Sequence, residues 1–183
     1  KGRNAYQTNN TYRPDSGLIS SCEKNALIFH DRYMDVDNGD FVTETIFQVF
    51  RNNYPNFTNR SSAIVGRATT WDSDIYSFLV NTTYFADVPY PQRVIKNSVE
   101  VSSSPYDLEK TDDWMVLMIE QARPGSNRPI VIGSRDGPNQ RAYNQIAEVV
   151  VYNRTLTASE VLQVNNYLQN KWRIAGLSHS LKN

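Results

Sequence analysis

One cysteine, two histidines and no surplus of either charge set the first limits on this 183-residue chain. Cys22 has no partner for an internal disulfide, so the fold must be held by packing and backbone pairing. No His or Lys pattern around it marks an activated thiolate, and a small buried thiol is expected. With His30 and His179 as its only histidines, the chain cannot assemble the usual Cys/His set of a structural zinc site. Lys and Arg together number 19, as do Asp and Glu, so no overall field draws the chain toward nucleic acid or an anionic membrane. No apolar run approaches the roughly 18 residues that would insert across a bilayer. The start shows no signal-peptide pattern. Glycine and proline, eight of each, are scattered as turn punctuation and form no linker. No internal repeat or low-complexity tract is visible, and one domain spanning 1–183 is expected.

What the chain does contain is short strands. Runs with strand character fall at Ala26 to Phe29, Phe41 to Phe50, Ser62 to Arg67, Ile75 to Val80, Arg93 to Val101, Trp114 to Gln121, Pro129 to Ile132 and Ile146 to Tyr152. Turn signals separate them, among them Asn38-Gly39, Pro124-Gly125 and Asp136-Gly137-Pro138. Residues 1–24 are polar and read as loop. Trp114 to Ile119 is almost continuously apolar, as a strand covered on both faces would be. This spacing predicts an all-β fold of two antiparallel sheets rather than alternating βαβ units.

One segment departs from the strand pattern. After Ile146 to Tyr152, Asn153-Arg154 reads as a turn, and Thr157 precedes Glu160 by the spacing of a capping box. Val161, Val164, Leu168 and Trp172 then recur at helical spacing, while Gln163, Asn166, Gln169 and Asn170 fall off that stripe and are expected to face water. The prediction is one C-terminal helix clamped to the end of a sheet.

The same residues carry a family likeness. Ile146, Glu148, Val149, Tyr152, Asn153, Arg154, Leu156, Glu160, Val164, Tyr167, Leu168, Lys171 and Trp172 resemble the C-terminal signature of concanavalin A-like lectin/glucanase domains of the laminin-G-like type. Gly2, Arg3, Asn4, Ala5, Gln7, Thr8, Arg13 and Pro14 look like that family's opening, Asn25 to Phe29 like an early strand, and Ile130 to Gly133 like its penultimate strand. The resemblance spans nearly the whole chain and implies a jelly-roll sandwich with one C-terminal helix. In the family a further strand precedes the opening, so this sequence is expected to be a piece of a longer chain with an upstream strand or domain. The likeness speaks to fold more than to function.

Glycoside hydrolysis requires two carboxylates across the scissile bond. The catalytic members of the resembled superfamily carry a Glu-x-Asp-x-x-Glu pattern on one strand, and this chain has none. Glu148 has no acidic strand neighbour, Glu160 belongs to the helix cap and Glu120 ends its own strand. His30, beside Asp31, reads as a surface histidine in a strand-to-loop corner. An enzyme is therefore not expected.

Two binding chemistries are expected instead. Asp35, Asp37, Asn38 and Asp40 gather hard oxygen ligands around a glycine turn, which suits Ca²⁺, although the same residues also favour a plain Asn-Gly hairpin turn. Sugar recognition needs aromatic faces beside hydrogen-bonding side chains. Trp71, Asp72, Asp74, Tyr84, Arg135, Asp136 and Tyr143 supply both, the last three from a loop expected over Arg135 to Tyr143. Trp114 and Trp172 fit the core better. Five N-x-S/T sites (Asn9, Asn56, Asn59, Asn81, Asn153) do not establish a glycosylated protein in a chain this rich in Asn, Ser and Thr.

The reading that follows is a lectin-like, non-catalytic domain that binds a glycan or host cell-surface receptor. It would stand at an extracellular surface or on a virion. The alternative is a structural domain of a viral or phage particle, docking to capsid or tail proteins or to copies of itself. Aromatic, amide-rich loops serve either partner.

Overall fold

The computed structural model describes residues 5–19, 22–36, 44–52, 62–67, 77–80, 84–85, 91–101, 106–107, 113–121, 130–136 and 139–174. Among these, the chain forms β1 (Ala5–Tyr6), a 3-10 turn (Asn10–Tyr12), β2 (Asp15–Ile19), β3 (Lys24–Arg32), β4 (Met34–Val36) and β5 (Thr45–Asn52). It continues through β6 (Ser62–Arg67), β7 (Ser77–Val80), β8 (Tyr84–Phe85), β9 (Pro91–Lys96), β10 (Val99–Glu100) and β11 (Tyr106–Asp107). The last elements are β12 (Met115–Gln121), β13 (Ile130–Ile132), β14 (Ser134–Asp136), β15 (Asn139–Tyr152) and the helix α1 (Ala158–Trp172).

The strands make two antiparallel sheets. The smaller has the order β1-β4-β13-β6-β7-β8-β11; the larger runs β10-β9-β12-β5-β15-β3-β2, with β14 paired to β15. On one face of the larger sheet Phe29, Ile46, Phe50, Val94, Leu117, Ile119 and Ile146 pack with Met34, Val36 and Ile132 of the smaller sheet. On its other face Phe47, Val49, Val116 and Met118 pack under Leu156, Val161, Leu168 and Trp172 of the helical segment. The larger sheet is thus a middle layer. That explains the near-continuous apolar run at Met115 to Ile119, in which every residue is 1% exposed or less.

The capping box forms as the spacing predicts. Thr157 Oγ1 accepts from Glu160 N–H, and the Glu160 carboxylate accepts from Thr157 N–H. Arg154 adds a two-pronged ion pair to the same carboxylate, at 2.6 and 3.0 Å. Val161, Leu168 and Trp172 are buried, with Val164 half-buried. One side chain departs from expectation: Gln169 is half-buried rather than in water. Asn165 is also buried, and its amide donates to Ser98 Oγ.

Three strand boundaries differ as well. Arg93 to Val101 is a hairpin, not one strand: Asn97 and Ser98 both take positive φ, at 47° and 71°, and Lys96 pairs with Val99. Contacts distant in sequence fix this turn, since Asn97 donates its N–H to Val116 C=O and accepts the Val116 N–H through its side chain. The expected loop at Arg135 to Tyr143 is largely strand, with Ser134 opposite Arg141 and Asp136 opposite Asn139. Its polar composition reads as loop, but two antiparallel arms paired to each other need no apolar alternation to form a ladder. The polar opening, read as loop, holds β1, the 3-10 turn and β2 within its described part. The strand expected from Phe41 is described from Thr45 on; 41–43 lie outside the described residues.

Gly133 lies between β13 and β14, where the chain passes from the smaller sheet into the hairpin. Its φ is +81°, and a Cβ there would overlap the Phe29 ring, so only glycine fits.

Candidate functional site

Register decides which of the sequence-selected residues meet. Following β13 upward, Ile132 pairs with Val65, Ser62 pairs with Leu79, and Val80 pairs with Tyr84. Tyr84 therefore stands at the same end of the smaller sheet as Gly133. The β14–β15 hairpin continues from Gly133, and Tyr143 opposes His30 near the end of β3. The backbone positions of Tyr84, Arg135, Asp136 and Tyr143 thus share one end of the sandwich.

Trp71, Asp72 and Asp74 lie outside the described residues, as do Asp37, Asn38 and Asp40. The residues bracketing the first group are Arg67, which pairs with Ile130, and Ser77, which pairs with Val65. The residue before the second group is Val36, which follows Asp35 opposite Val131. All of these strand ends point away from Gly133, toward the opposite end of the smaller sheet.

Asp35 itself is described. It lies on β4 facing away from Met34 and Val36, which turn into the sandwich, and desolvation by burial holds its carboxyl above the usual carboxylate range. No group of three or more His, Cys, Asp or Glu placed to hold a metal occurs among the described residues.

Glu148, the acid that stands alone on its strand, is committed to the helix. The register of β15 against β5 shifts between Ile146 and Glu148: Ile146 opposes Phe50, and Glu148 opposes Val49. This bulge places Ile146 in the core between the sheets yet turns Glu148 to the helix face. There its carboxylate accepts from Trp172 Nε1 at 2.6 Å and from Lys171 Nζ at 2.9 Å. The hydrogen bond with Glu148 raises the Lys171 pKa. Glu120 is also engaged, 3.2 Å from the Arg93 guanidinium.

One arrangement escaped the sequence reading. On the outer face of the larger sheet, at the end that carries the hairpin, register lines up Asp15, Ile28, Gln145 and Arg51 across β2, β3, β15 and β5. Trp114, just before β12, extends the row, with the Arg51 guanidinium 5.3 Å from its ring centroid. Arg51 Nε donates to Gln145 Oε1 at 2.8 Å. No local signal could have found this cluster, because Gln145 is 94 positions from Arg51 along the chain and the two meet through strand pairing.

Compared with known proteins, the chain matches no family model, no curated protein and no solved structure. No helix among the described residues is long and apolar enough to cross a membrane.

Proposed function

We propose that this chain is a non-catalytic, lectin-like binding domain with a concanavalin A-like jelly-roll topology, recognising glycans at a cell or particle surface. The observation that carries this reading is the shared end of the sandwich at which the backbones of Tyr84, Arg135, Asp136 and Tyr143 stand. An aromatic, a guanidinium and a carboxylate are the groups needed to stack on a sugar ring and hydrogen-bond its hydroxyls. The engagement of Glu148 by Trp172 and Lys171 supports the same reading, since the strand acid serves packing.

Glycan-array binding is the test. The expected result is retention of a defined glycan class that is lost in Arg135→Ala and Tyr143→Ala while the folded secondary structure persists. A blank array would overturn the reading. Copurification with capsid or tail proteins would then favour the structural alternative. Calcium, proposed for Asp35, Asp37, Asn38 and Asp40, is tested by repeating the array with a chelator.

A further inference from the structure

The Arg51 cluster lies outside the set just proposed, and its geometry is that of a preorganised anion receptor. Guanidinium has two edges able to grip an oxyanion with paired N–H groups. In Arg51 the Nε–H is taken by Gln145, and the plane is held near Trp114. The terminal nitrogens meet no hydrogen-bond or ion-pair partner among the described residues, so the end-on fork is left for a ligand. Arg51, Gln145 and Trp114 are all half-buried. An arginine restrained by two neighbours loses less side-chain entropy when it binds, which is the physical content of preorganisation.

The surroundings favour an anion rather than repel one. Glu148, in the adjacent row, is neutralised by Lys171, and Asp15, at the far end of Arg51's own row, by Arg32 at 2.6 Å. Asp113, the sequence neighbour of Trp114, is exposed to solvent. Next to the fork Trp114 offers an aromatic face, and the half-buried Ile28 lies beyond Gln145 in the same row. A cationic fork beside an indole fits a sugar that carries a carboxylate: the acid meets the fork and the ring's C–H face meets the aromatic side chain.

We infer that Arg51, with Gln145 and Trp114, binds the carboxylate of an acidic saccharide on the outer face of the larger sheet. This rests on the glycan-binding reading and adds a second contact surface to it, at the same end of the sandwich.

The test is ligand-observed NMR titration of the intact chain with glucuronate, galacturonate and N-acetylneuraminate. Glucose, galactose and inorganic phosphate serve as comparison probes. At least one acid is expected to bind, with its neutral or inorganic comparators much weaker. Arg51→Gln should weaken that acid by about tenfold or more, the range of a charge-assisted hydrogen bond. Arg51→Lys keeps the charge but loses the fork, and should recover only part of the binding. Circular dichroism of both variants must match the parent, and because Arg51→Lys is the gentler change it keeps the test open if Arg51→Gln unfolds. Binding unchanged in both variants overturns the inference, as does no binding by any acid. Phosphate binding as tight as the best acid also overturns it, leaving a simple anion site. If the array is positive but insensitive to Arg51, the lectin reading stands and this inference falls; if neither array nor titration responds, both fall.

Discussion

The Trp172 indole N–H donates to Glu148 Oε2 at 2.6 Å, joining the last turn of α1 to the strand that precedes the helix. Lys24 extends the joint: its ammonium donates to Lys171 C=O at 2.8 Å and lies 5.9 Å from the Trp172 ring centroid. Three separated parts of the chain, at 24, 148 and 171–172, therefore converge on one corner of the larger sheet.

Glu148→Ala should leave the Trp172 N–H and the Lys171 ammonium without their acceptor. A hydrogen bond involving a charged group is worth about 1.5–3 kcal/mol, and a loss of that order is expected in urea unfolding. Trp172 fluorescence should shift as its surroundings loosen. Glu148→Gln, which keeps an acceptor for the indole, should lose less. Equal stability of all three proteins would show the contact to be incidental.

The helix N-terminus should be acid-sensitive in a defined window. The hydrogen bond from Arg154, then those from Thr157, lower the Glu160 pKa to about 2 from its usual 4.5. A depressed folded pKa means that the unfolded chain takes up the proton first, so this contribution is full above 4.5 and fades as pH falls toward 2. NMR titration should find the Glu160 carboxyl near the lower value, and Arg154→Met should move it up. Thr157→Ala should cost about 1 kcal/mol of stability at neutral pH.

Gly133→Ala should be destabilising by about 2 kcal/mol or more, because a β-carbon would both oppose the positive φ and overlap Phe29. Thermal melting measures it. A neutral result would mean that the passage from β13 to β14 adopts another path.

Leu117 and Leu168 sample the two cores on either side of the larger sheet, and both are 0% exposed. Leu117→Ala should cost about 2–5 kcal/mol. Leu168→Ala should cost a similar amount, accompanied by increased hydrogen exchange along α1, which the other variant leaves protected.

At the β9–β10 turn, Asn97→Ala should be worse than an exposed turn substitution. It removes the acceptor of the Val116 N–H at 2.8 Å and places alanine at φ 47°. A loss of about 1–3 kcal/mol in chemical denaturation is expected.

The amino-acid order alone determined the local elements. The Thr157–Glu160 box, the apolar helix stripe and the continuous Met115 to Ile119 run are written in neighbouring residues, because capping, helical period and strand burial are short-range properties. Tertiary structure decided the rest. The bulge that turns Glu148 to the helix, the Asn97–Ser98 turn held by Val116, and the row from Asp15 through Arg51 to Trp114 all depend on strand register. Register joins residues far apart in sequence, so it also brought the backbones of Tyr84, Arg135, Asp136 and Tyr143 to one end of the sandwich. A side chain's chemistry is local, but its neighbours are chosen by pairing.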